Sequence, residues 1–174
     1  MPQRLEHGAT LESVTAGFAP RRVAAERGGR GVRSPYPEIE QRGRDIGPIG
    51  SPREAGYVLE PLGMHEIQEV ACIMNLDVHS GFAGVREIAR GGYEHVEVPI
   101  PIGIRAAALS GTPWAILAHN HPSGSPRPSD DDVALWHDAR ERFACAGLTL
   151  LDHMIIGRGA FYSCKWAAYW QLRP

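Results

Sequence analysis

From residue 49 onward, apolar stretches alternate with short clusters of glycine, proline and polar residues, whereas the first 48 residues show no sustained apolar period. Ser51-Pro52-Arg53-Glu54 has the form of a helix start, with an N-cap serine, proline in the first turn and glutamate three residues after the cap. Gln68–Asp77 and Gly81–Arg90 are apolar, alternate poorly and flank a turn, which predicts a hairpin. Ile102–Leu109 is alanine-rich and predicts a helix, and Trp114–Asn120, introduced by Gly111-Thr112-Pro113, predicts a buried strand. From Asp130 to about Ala146, Val133, Trp136, Ala139 and Phe143 recur on one helical face, and Gly147 follows as a terminating glycine. Leu148–Ile156 and Ala160–Lys165 predict a closing hairpin around Gly157-Arg158-Gly159. Strands interleaved with helices in this order predict an α/β (α+β) fold, a mixed β-sheet flanked by helices.

Composition divides the chain in two. The first fifty residues hold eight arginines against six acidic residues, with Gly28-Gly29-Arg30-Gly31 and Pro35-Tyr36-Pro37 among them. Residues 1–48 therefore read as an Arg/Gly/Pro-rich tail without order of its own, and residues 49–174 as the folded domain. Ten basic and fourteen acidic residues remain beyond residue 50. That mildly acidic balance disfavours a broad nucleic-acid footprint on the domain. Nucleic-acid contact through the tail stays open but is not favoured over a solvated linker. No run approaches the roughly 20 apolar residues of a membrane span, and no signal-peptide pattern is visible. Cys72, Cys145 and Cys164 lack ligand spacing and read as buried, reduced thiols of a cytoplasmic protein.

The chemistry gathers in one segment, His119-Asn120-His121-Pro122-Ser123-Gly124-Ser125-Pro126-Arg127-Pro128-Ser129-Asp130-Asp131-Asp132. On a strand, residues two apart point to the same side, so His119 and His121 converge at the end of the Trp114–Asn120 strand. The prolines and Gly124 then force a loop, which leads to Asp132 in the first turn of the next helix. Two imidazoles and a carboxylate are one ligand short of a tetrahedral zinc shell, the arrangement of catalytic sites that hold water in the open position. Ser129 and Asp132 also fit a plain capping box.

His-x-His-Pro, with serine ten and aspartate thirteen positions after the first histidine, is the signature of the JAB/MPN metalloproteases of JAMM type, and this chain resembles them. The wording His119-Asn120-His121-Pro122-Ser123-Gly124 with Pro128-Ser129 and Asp132 is most similar to their bacterial RadC branch. Met74-Asn75-Leu76-Asp77 and Leu150-Leu151-Asp152-His153-Met154-Ile155-Ile156-Gly157 extend the resemblance over roughly Ile49 to Trp166. The resemblance implies a JAB/MPN, cytidine-deaminase-like architecture and a zinc-dependent peptidase cleaving a peptide or isopeptide bond. His119, His121 and Asp132 would hold Zn2+, Glu87 would act as general base and then acid, and Ser129 would support the oxyanion. Glu94 and Glu97 are the fallback positions for the base. The chain departs from the RadC pattern after Glu87, where Gly91-Gly92-Tyr93 and an apolar helix start stand in place of a more charged segment. A helix-hairpin-helix region ahead of the domain is not recognisable.

Other function classes remain as alternatives. RadC proteins are associated by name with DNA repair, so a nucleic-acid processing role is the second reading. A metal-free MPN scaffold is a third, disfavoured by the retained ligands. A zinc deaminase would need His-x-Glu together with Pro-Cys-x-x-Cys, and Pro-Cys-x-x-Cys is missing. The expected partner is a peptide or protein substrate, with oligomeric state open. His153 reads as a hydrogen-bonded core histidine, with a place behind a metal ligand as the alternative.

Overall fold

The computed structural model describes residues 35–91 and 97–172, all within the unit spanning residues 33–174. The elements are α1 (Pro37–Ile46), α2 (Pro52–His65), β1 (Val70–Leu76), β2 (Phe82–Arg90), α3 (Ile100–Ser110), β3 (Trp114–Asn120), α4 (Asp130–Cys145), β4 (Thr149–Ile156), β5 (Ala160–Ser163) and β6 (Ala168–Gln171). The six strands form one sheet in the order β2-β1-β3-β4-β5-β6. Only β3 and β4 pair in parallel, connected through α4; every other pairing is antiparallel. The chain thus has the mixed sheet flanked by helices that its pattern predicts.

Helices cover both faces of the sheet. Cys72, Met74, Ile116, Ala118, Met154 and Phe161 turn toward α2 and Ile39 of α1. Ala71, Ile73, Ala115 and Leu117 turn toward α3 and toward Trp136, Ala139 and Phe143 of α4. Every residue of β1 is buried, which explains its poor alternation, because a strand covered on both faces reads as a continuous apolar run.

Three local expectations need correction. Residues 37–46, assigned to the tail, form α1. Its apolar face is Ile39, Gly43 and Ile46, a single short stripe among charged residues. Polar contacts add to that packing. Pro61 lies inside α2 and removes the N–H that would bond the Tyr57 carbonyl. Arg42 of α1 donates to that carbonyl at 2.8 Å and to the buried Glu60 carboxylate at 2.7 Å. The remaining tail, residues 1–34, lies outside the described residues. The last hairpin ends at Ser163, and a four-residue strand β6 follows through a turn that places Ala167 at φ 49°. No glycine, proline or asparagine marks that turn, so it was not legible. Finally, the three cysteines are free, but only Cys72 is buried, while Cys145 is exposed and Cys164 intermediate.

Candidate metal centre

Strand β3 ends in the site. His119 lies opposite Ala71 of β1 and shares the α3/α4 face with Ala115 and Leu117, as alternation requires. The chain then turns at Pro122. The Gly124 N–H donates to the His121 carbonyl at 2.8 Å, and the Arg158 N–H donates to the Gly124 carbonyl at 2.9 Å. A Cβ on Gly157 would collide with Gly124 and Pro126, so the histidine-bearing loop lies flush on the turn between β4 and β5. The loop delivers Ser129 as N-cap of α4. Its hydroxyl accepts from the Asp132 N–H, and the Asp132 carboxylate accepts from the Ser129 N–H, completing the capping box.

These elements bring the expected ligand side chains together. The Nε2 atoms of His119 and His121 are 3.1 Å apart. Asp132 places Oδ1 3.0 Å from His119 Nε2 and Oδ2 3.5 Å from His121 Nε2. Donors about 2.0–2.1 Å from a tetrahedral zinc stand roughly 3.3–3.4 Å from one another, so the spacing fits that ion closely. The ring orientations fit as well. His121 Nδ1 lies 3.0 Å from the Ser125 carbonyl, to which it donates, and this turns Nε2 toward the cluster. His119 Nδ1 lies 2.8 Å from Nε2 of His153.

Burial alone would raise the Asp132 carboxyl, but hydrogen bonds from His119 and His121 outweigh it and hold the group far below the usual carboxylate range. Burial works to lower His121, and the hydrogen bond and charge of Asp132 more than offset it, so its pKa is raised. Burial pushes fully enclosed His153 down to about 3, with His119 adding to the effect. His153 is therefore neutral at pH 7.

The fourth polar group is a glutamate, but not the expected one. Glu87 pairs with Cys72 across β1–β2, and Cys72 faces α1 and α2, the side of the sheet opposite His119. There Glu87 accepts a hydrogen bond from Tyr36 Oη at 2.5 Å and from Arg90 at 2.7 Å. The Arg90 guanidinium holds it below the usual carboxylate range. Glu97 is exposed, and Glu94 lies outside the described residues. The carboxylate beside the histidines belongs to Glu69, just ahead of β1. It is buried, and its Oε1 lies 3.8 Å from His119 Nε2. One ligand atom from each of Glu69, His119 and His121 falls within 4.8 Å of the others.

Asn120, the residue between the two histidines, sets that carboxylate in place. Its buried amide accepts from the Val70 N–H at 2.8 Å and donates to the Gln68 carbonyl at 3.0 Å. Both backbone neighbours of Glu69 are thereby fixed to the strand that carries His119. No local sequence signal marks Glu69; the β1–β3 pairing places it. Any residue opening the antiparallel neighbour of β3 must lie at the end of β3 where the histidines stand.

Comparison with known proteins gives the family. The chain is 38% identical over 111 residues to a UPF0758 protein of Clostridium perfringens, covering 64% of this chain and 48% of the relative. It is 34% identical over 101 residues to one of Carboxydothermus hydrogenoformans, covering 58% and 45%. It is 33% identical over 126 residues to one of Burkholderia vietnamiensis, covering 72% and 48%. The chain thus spans about half the length of the curated relatives it matches. The family model described as RadC-like JAB domain matches residues 49–169, the span that holds β1 to β5, the histidine loop and Glu69. On that match, the chain belongs to the RadC-like JAB domain family.

Proposed function

We propose that this domain is a zinc-dependent peptidase of JAMM type that hydrolyses a peptide or isopeptide bond in a peptide or protein substrate. The observation that carries the reading is the convergence of His119, His121 and Asp132 at zinc-ligand spacing with the Glu69 carboxylate 3.8 Å from His119 Nε2. His119, His121 and Asp132 are the ligands in this reading. Zinc, when bound, supplies an activated water and polarises the scissile carbonyl. Glu69 takes the proton from the attacking water on its carboxylate and returns it to the leaving amine, replacing Glu87 in that role. Ser129 Oγ supports the developing oxyanion. Its hydroxyl donates to Asp132 Oδ2 at 2.7 Å, so it must turn from that acceptor to meet substrate. Among the described residues no helix is long and apolar enough to cross a membrane. The free cysteines favour a reducing, cytoplasmic setting.

The test joins metal analysis to a cleavage screen. Wild-type protein is expected to carry about one zinc per chain and to cleave members of a peptide and isopeptide library. His121→Ala should lose the metal. Glu69→Gln should keep it while cleavage falls by about 10²–10⁴-fold, the usual share of a positioned acid–base group. A wild type that takes up no zinc, or a Glu69→Gln variant that cleaves as well as wild type, overturns the reading.

A further inference from the structure

We propose that His153 is a positioning residue, holding His119 in the one tautomer that lets its Nε2 bind a metal. The inference rests on the metal-centre reading above. A neutral imidazole has a lone pair on one nitrogen only. His119 presents Nε2 to Asp132 and His121, so ligation requires its proton on Nδ1. That atom lies 2.8 Å from His153 Nε2. Both rings are enclosed, at 1% and 0% exposure, so water does not compete for the contact.

The sheet itself fixes this partnership. In the parallel β3–β4 ladder, Leu117 pairs with His153 and His119 with Ile155. The two histidines are therefore diagonal neighbours on one face of adjacent central strands. In this arrangement His153 accepts through Nε2 and carries its own proton on Nδ1, which faces Cys164 Sγ at 3.7 Å, a weak acceptor, and the Asp132 main chain is a further hydrogen-bond partner of the ring. Metal-ligating histidines ordinarily lean on a carboxylate or a backbone carbonyl, as His121 does on Ser125. An imidazole in that place orients His119 without bringing a third carboxylate beside Glu69 and Asp132.

The test reads the metal and the proton rather than turnover. His153→Phe fills the ring's volume but offers no acceptor, while His153→Gln retains a side-chain oxygen able to accept. Zinc affinity of the full chain is measured against a chromogenic chelator, and the visible spectrum of the cobalt-loaded protein reports ligand geometry. His153→Phe should weaken zinc binding by about 10–100-fold, the usual loss when a ligand's outer partner is removed, and should alter the cobalt spectrum. His153→Gln should recover most of the affinity. Should His153→Phe fail to fold, long-range nitrogen NMR of zinc-loaded wild type decides, with protons expected on Nδ1 of both histidines. A proton on Nε2 of His153, or zinc bound to a folded His153→Phe as tightly as to wild type, overturns the inference alone. A wild type that takes up neither zinc nor cobalt overturns the metal-centre reading and this inference with it.

Discussion

Glu69 and Glu87 have the same functional group and lie on neighbouring strands or at their ends, yet the sheet sends them to opposite faces. Glu87 belongs to the anchoring of α1, through Tyr36 and Arg90. Glu87→Gln should therefore leave cleavage within a few-fold of wild type. It should lower stability by about 1–2 kcal/mol, the usual loss with a charged hydrogen bond, checked by urea unfolding beside a peptidase assay. A large drop in cleavage with unchanged stability would count against the face assignment. Local pattern could not separate the two glutamates, because the period of a strand leaves open which of its faces meets which helix. His119 and His121 were legible because their convergence needs only the strand's own geometry.

The N-terminus of α4 is where an element and a site share atoms. Ser129 caps the helix and faces the centre, and two substitutions separate those roles. Replacing an N-cap serine by glycine costs only a few tenths of a kcal/mol, while alanine costs about 1 kcal/mol. If the hydroxyl also serves the oxyanion, Ser129→Gly should cut cleavage by about 10²–10³-fold with its melting temperature almost unchanged. Cleavage retained in Ser129→Gly would leave only the capping role. For α1, the decisive contact is Arg42. Arg42→Met removes the guanidinium from the Tyr57 carbonyl and from Glu60, whose side chain is 6% exposed. Burying a carboxylate without that partner should lower stability by about 2–4 kcal/mol, and limited proteolysis should then cut between α1 and α2. This helix was missed because its one short apolar stripe, Ile39, Gly43 and Ile46, lies among charged residues and the Arg42 contacts with α2 leave no local pattern.

Across the described domain, burial of β1 on both faces makes the central strands the expected last part to open, and the cysteines can report it. Cys72 is enclosed between sheet and helices, and burial pushes its thiol up to about 12. Cys145 is exposed at the end of α4. A thiolate-directed reagent should modify Cys145 within the dead time of mixing, while Cys72 reacts only as fast as the domain unfolds. Mass spectrometry of timed samples checks the order, and early labelling of Cys72 would mean that β1 opens independently. By itself the sequence determined the succession of strands and helices from α2 to β5, the capping box and the pairing of the two histidines. Each rests on contacts within a few residues, where propensity, period and spacing act directly. Only the tertiary structure decided that Glu69 rather than Glu87 stands at the centre, that His153 backs His119, and that α1 joins the domain. Those outcomes depend on register between strands far apart in the chain and on polar contacts between helices, which no local period records.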